Sequence, residues 1–297
     1  MECEHAHDAS ELRQGDIFAA HPGTENWQDP WRRFGVIISA DCDLAQRKTG
    51  PNLVFVPIVG LPTYVKDVWL PAQIESLDES CRQKLEKALV QAQGKPIAAR
   101  HAMSWSESEL VNHFDKSGGA DKDALARAIE LRALILQLHQ FSSEKKDNNV
   151  DTIRAALSQY FDMHEKVERV QKPGAVYRRG IIVGALDGLA QKDRADTWPL
   201  IDIIGLDPEM REDEKFGFVS DMRRFSVMPA ENIVLNRISW VKDPNLYLRV
   251  CRLGPYYKMD FLQKFAALFT RIGLDDKRGE EQKALFGTVS AKLIPGE

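Results

Sequence analysis

Cysteine is scarce in this 297-residue chain: Cys3, Cys42, Cys81 and Cys251 are its four, with no CxxC pair among them. Spacing of that kind suits free thiols in a cytoplasmic protein better than a disulfide framework. No secretory apolar segment stands ahead of them, and no apolar run approaches the roughly 20 residues that cross a bilayer, so no membrane partner is expected. Positive charge is not in excess either. With 40 basic against 44 acidic residues the net charge is -4, and any hold on nucleic acid has to come from a local basic patch. A hydrophobic fraction of 43% and a charged fraction of 28% exclude a disordered chain. Metal-capable side chains gather at Cys3, His5 and His7, but a short terminal tract of this kind reads as surface, and no metal or cofactor is assigned to it.

What is present begins with two strands and a corner. Residues 36–38 and 53–56 are β-branched and aromatic runs of strand length, bounded by Gly35, Gly50 and Pro51. Between them lies Ser39-Ala40-Asp41-Cys42-Asp43, followed by Arg47 and Lys48. The end of a buried strand is a place where a rigid scaffold presents a site, and also where it merely turns. Ahead of these strands, Gly15-Asp16 turns into a short apolar stretch, and residues 21–31 form a loop that holds Trp27 and Trp31.

From about residue 76 the period changes to that of helices. Ser76 with Glu79, and Ser104 with Glu107, have capping-box spacing. Leu125, Ile129, Leu131, Leu134, Ile135 and Leu138 make an apolar stripe on one helix, and Ile153, Leu157, Tyr160, Phe161 and Met163 on the next. His101, His113, His139 and His164 fall in this block without metal-ligand spacing and are assigned no chemistry. Strand-like runs return at 177–184, 198–204, 216–225, 232–235 and 246–253, before a last helix from Tyr257 to about Ile272.

Read together without the helical block, the two ends resemble the MazF/PemK family of toxin ribonucleases. The pieces that carry the resemblance are Gly15-Asp16-Ile17, Gly23-Thr24-Glu25, Arg33 before the strand Val36-Ile37-Ile38-Ser39, and Lys48-Thr49-Gly50 before Leu53-Val54-Phe55-Val56-Pro57. At the far end they are Phe218 to Arg224, and Arg252-Leu253-Gly254-Pro255 with the helix after it. The resemblance implies an α+β chain: an SH3-like β-barrel split by a helical insertion, with a C-terminal helix. Residues 1–75 would form the first part of the barrel, 76–172 the insertion, 173–274 the second part with the helix, and 275–297 a tail. It also implies metal-independent RNA cleavage by the ribose 2'-hydroxyl, served by an arginine and a threonine. Arg33, or its neighbour Arg32, matches the arginine, suited to stabilising charge on the phosphorane. The threonine position falls at about Val59, which carries no side-chain proton.

The corner supplies candidates in its place. Asp41, Cys42 and Asp43 are read with Arg33 as a catalytic set, contributing acid, base or substrate contacts. Other readings stand beside this one: a Cys42 nucleophile with His21 as base, a cation held by Asp41 and Asp43 with Glu25 or Asp221, or a structural cap paired with Arg33, Arg47 or Arg223. Basic pairs with aromatic neighbours mark the substrate-binding candidates Glu25, Trp27, Trp31, Arg32, Lys48, Arg223 and Arg224, as expected for single-stranded RNA. A protein partner, such as an antitoxin or defence-system component, is the alternative use of the same surface, with the chain as a non-catalytic adaptor in a toxin-like or phage-defence setting.

Overall fold

The computed structural model describes residues 3–4, 11–46, 50–93, 96–115, 121–144, 149–171, 197–200 and 217–270. Lys48, Arg47, His5, His7, the run at 177–184, the second half of that at 198–204 and the tail at 275–297 lie outside the described residues. The chain divides into two compact units, residues 1–64 with 183–297 and residues 65–182. The architecture is α+β.

In the first unit β1 (Cys3–Glu4) precedes a turn at Gly15, whose φ of 88° suits glycine. β2 (Asp16–Ala19) follows, buried throughout. Two short helices then reverse the chain. α1 (Glu25–Gln28) starts on Thr24, whose side chain accepts from Trp27 N, and α2 (Pro30–Arg33) starts on Asp29, with Pro30 in its first turn. β3 (Phe34–Ile37) leads to α3 (Asp41–Ala45), and β4 (Asn52–Gly60) to α4 (Leu61–Tyr64).

The second unit opens on a π-turn at Val65–Trp69 and continues as α5 (Leu70–Gln93), α6 (Ala99–Ser104), α7 (Glu107–Asp115), α8 (Lys122–Ser143) and α9 (Val150–Gln171). Both capping expectations need correction. Ser76 lies inside α5, because the helix already starts at Leu70. The box before α7 is Ser106 with Glu109: Ser106 N donates to Glu109 Oε2 at 2.6 Å and Glu109 N to Ser106 Oγ at 3.2 Å, while Ser104 closes α6. The apolar stripe of α8 is buried at Leu131, Leu134, Ile135 and Leu138, and Trp69 meets Tyr160 of α9 edge-on at 6.1 Å. Lys84 of α5 reaches Glu168 of α9 at 3.0 Å. Burial lowers the pKa of His164.

Back in the first unit are β5 (Thr197–Leu200), β6 (Phe218–Asp221), a 3-10 turn at Met222–Arg224, β7 (Ser226–Pro229), β8 (Ile233–Val234), α10 (Arg237–Lys242), β9 (Tyr247–Leu253) and α11 (Pro255–Thr270). The sheet runs β1-β9-β2-β3-β4-β6-β5, with β7 also on β4 and β8 on β9. β4 changes partner along its length, pairing with β7 over Asn52–Phe55 and with β6 over Ile58–Gly60. Alternation splits the core between the faces: Ile17, Val36 and Ile58 pack with Phe261 of α11 on one side, Phe18, Ile37 and Phe55 on the other. Burial on both faces is why these strands read as unbroken apolar runs.

Among the described residues the sheet is open and no closed barrel is formed, β7 and β8 pairing with β4 and β9 but not with each other. β7 ends at Pro229, which has no N–H to donate, and Ala230 N donates to Pro51 O at 2.7 Å in register with the β7–β4 pairing.

Candidate functional site

A groove of about 550 Å³ in the first unit is lined by Trp31, Arg32, Arg224, Ser226, Asn245 and Tyr247, among others. Its first wall is α2. Asp29 Oδ1 accepts from Trp31 N at 2.9 Å, which fixes the start of the helix, and Asp29 Oδ2 lies 3.4 Å from Arg32 Nε. Its second wall follows β6. Asp221, 1% exposed, accepts from Arg223 N at 3.1 Å and pairs with both Arg223 Nε and Nη2 at 2.9 Å. Arg224 Nε stands 3.5 Å from the same carboxylate, and the Arg224 guanidinium lies 4.3 Å above the Trp31 ring centre. Tyr247 of β9 closes the site, its ring edge-on to Phe18 at 5.2 Å. Burial raises its phenol above the ordinary range, Asp29 adding to the shift and Arg32 opposing it.

This arrangement sorts the expected residues. Trp31, Arg32 and Arg224 line one groove. Trp27 and Arg33 stand behind it: Arg33 Nε donates to Trp27 O at 2.8 Å, its guanidinium covers the Trp27 ring at 4.9 Å, and Trp27 packs edge-on against Phe34. Arg223 is engaged by Asp221, and Glu25 is an exposed residue of the first turn of α1. Val59, at the place where the resemblance wants a threonine, is 1% exposed and pairs with Val219.

Asp41, Cys42 and Asp43 are elsewhere. They form the first turn of α3, where carboxylates suit the helix N-terminus. Asp41 Oδ1 accepts from Gln14 N at 2.7 Å and Oδ2 lies 3.4 Å from Lys258 Nζ, while the exposed Cys42 thiol points to Asp43 Oδ1 at 3.6 Å. Asp41 borders a separate hollow of about 940 Å³ that shares no lining residue with the groove. Arg33 precedes β3 and Asp41 follows it, so the two stand at opposite ends of that strand. The structure therefore does not bring Arg33 and the corner together as one catalytic set. His21, offered as a base for Cys42, packs against Trp240 at 4.7 Å. Asp221, offered as a cation ligand, is committed to arginines, and among the described residues no group of three or more His, Cys, Asp or Glu could hold a metal.

Tyr247, Asp29 and Ser226 line the groove without having been singled out from sequence. Asp29-Pro30 carried a signal, since an acidic N-cap followed by proline is a helix start that would have aimed Trp31 and Arg32. Tyr247 carried none, sitting in a plain strand. No helix among the described residues is long and apolar enough to cross a membrane. Comparison with family models, with curated proteins and with solved structures produced no match to this chain.

Proposed function

We propose that the first unit is an open SH3-like, PemK-type scaffold whose groove binds single-stranded RNA. The observation that carries this reading is the stack of Arg224 on Trp31 beside Arg32, with Tyr247 in the same groove. Aromatic faces accept bases of any sequence, and guanidinium groups neutralise the phosphates between them. The acidic net charge does not oppose this, because the groove concentrates Arg32 and Arg224 against the single carboxylate of Asp29 in its lining. Binding without cleavage fits the residues better than the endoribonuclease the resemblance implies. Arg33 is tied to Trp27, and Val59 is a buried valine. A toxin-like or defence-system adaptor that holds RNA is the setting in which such a groove makes sense.

The test is fluorescence anisotropy with an oligouridylate of about 12 nucleotides, within the span that such grooves cover. Trp31→Ala should weaken binding about 5- to 150-fold, the equivalent of roughly 1 to 3 kcal/mol for one lost stack. Arg224→Ala should weaken it too, and should reduce the slope of log K against log salt by about 0.7 for one lost phosphate contact. Wild-type failure to bind, or full affinity in both variants, would overturn the reading. Gel analysis of the same mixtures reports cleavage, and products made by wild type but not by Arg33→Ala would restore the ribonuclease.

A further inference from the structure

The groove's two arginine-bearing turns are not equally built. Arg32 is exposed and held by Asp29 at the surface, whereas Arg223 and Arg224 both converge on Asp221, a carboxylate nine-tenths or more enclosed at the end of β6. Asp221 does three things at once. It caps the 3-10 turn through Arg223 N, it forms a two-point ion pair with the Arg223 guanidinium, and it stands 3.5 Å from Arg224 Nε while that guanidinium lies 4.3 Å from the Trp31 ring centre. The strand beneath it is fixed on both sides, since β6 pairs with β4 through Ser220 and with β5 through Asp221 itself. Ser220 Oγ also donates to Pro57 O at 3.0 Å. A paired strand thus ends in a carboxylate that holds the Arg223 guanidinium at two points and stands beside that of Arg224.

We propose that Asp221 is a positioning residue for RNA: it sets Arg224 over Trp31 so that a phosphate meets the guanidinium edge while a base stacks on the guanidinium's outer face. This rests on the groove being an RNA site, and it makes a prediction opposite in sign to simple electrostatics. Removing a negative charge beside two arginines raises the local positive potential, which by itself tightens the hold on a polyanion. Loss of positioning weakens it instead, because a freed arginine must be ordered again on each binding event. A planar, two-sided guanidinium is also something lysine cannot replace.

The experiment measures oligouridylate affinity by anisotropy for the full chain, Asp221→Asn, Arg224→Ala, the double variant and Arg224→Lys, with circular dichroism confirming that each folds. Asp221→Asn is expected to bind about tenfold more weakly than wild type. In the Arg224→Ala background Asp221→Asn should cost little more, because its effect passes through Arg224. Arg224→Lys should lose affinity despite keeping its charge, and this arm stands even if Asp221→Asn does not fold. Unchanged or tighter binding by Asp221→Asn, additive losses in the double variant, or wild-type affinity in Arg224→Lys would each overturn the inference while leaving the RNA site intact. Absence of binding by wild type overturns both.

Discussion

Asp16 offers the sharpest test of how the sheet unit is held. It is fully buried at the start of β2. Its Oδ1 lies 2.6 Å from Arg252 Nε, and its Oδ2 accepts from Arg252 Nη2 at 3.1 Å and from Arg13 N at 2.8 Å. Arg249, with a side chain 1% exposed, brings Nη1 to 3.8 Å. On a regular strand residues 249 and 252 would face opposite sides. They share one here because the register between β2 and β9 shifts at Ile17/Phe18, where β9 carries one residue more. Asp16→Ala leaves two guanidiniums without their carboxylate, one of them enclosed, and breaking a buried pair from one side costs about 3 to 5 kcal/mol. Against a typical total of about 5 to 15 kcal/mol that is a large share. Arg252→Ala should cost less, since that side chain is 21% exposed and its removal leaves Asp16 with Arg13 N and Arg249. Equilibrium urea unfolding, followed by circular dichroism and tryptophan fluorescence, reads both. A loss below about 1 kcal/mol for Asp16→Ala, the range of a surface pair, would refute the reasoning and show that the β2–β9 junction rests on its ladder alone.

Two further outcomes follow from packing and burial. A Cβ on Gly35 would sit 2.5 Å from Phe18 Cζ and 2.8 Å from Phe55 Cδ2, both in buried rings, so Gly35→Ala should lower stability by about 1 to 3 kcal/mol in the same urea assay; an unchanged midpoint would show that the two rings yield freely. Cys81 has its thiol pKa raised from 9.0 to about 12, chiefly by burial, with Lys84 opposing the shift. The unfolded chain therefore gives up this proton first, and the stability it protects is present below about pH 9 and lost between there and about pH 12, at up to roughly 1.4 kcal/mol per pH unit. Cys81→Ala should remove that part of the alkaline slope, and equal slopes in both proteins would contradict the burial.

Much of the fold was legible because its signals are local and strong. The apolar stripes of α8 and α9, and the unbroken runs of β3 and β4, stand in the sequence as they stand in the structure. Helix starts were less legible, since a serine and a glutamate three apart recur by chance: Ser76-to-Glu79 lies within α5, and the true box sits two residues past the one expected at Ser104. The site was half legible. Trp31, Arg32 and Arg224 were visible as basic and aromatic neighbours, but the partner of Arg224 is a tryptophan 193 positions away, which no spacing rule reports. The corner at Asp41 misled for the opposite reason, because its density of reactive groups is explained by a helix start and by contacts to Gln14 and Lys258.

Arg32 and Arg33 show most plainly why neighbouring residues cannot share one role. Successive positions on a helical turn point about 100° apart, so one of the pair must turn inward when the other lines the groove. Arg33 is the last residue of α2 before the buried strand that opens with Phe34, and the entry to that strand carries it back to the carbonyl and ring of Trp27. There it holds α1 against the strand's first residue through the edge-on pair of Trp27 and Phe34. Arg32, one step earlier, lines the groove beside the surface carboxylate of Asp29. An assignment by position along the chain chooses Arg33 for the phosphate, whereas an assignment by direction chooses Arg32. Val59 is buried against the sheet and α3 follows the far end of β3, whereas the polar groups lining the groove include Arg32, Arg224, Ser226, Asn245 and Tyr247. On the proposed reading, the cations and aromatic surface of that lining suit holding a strand, and burial pushes the Tyr247 phenol further toward its neutral form.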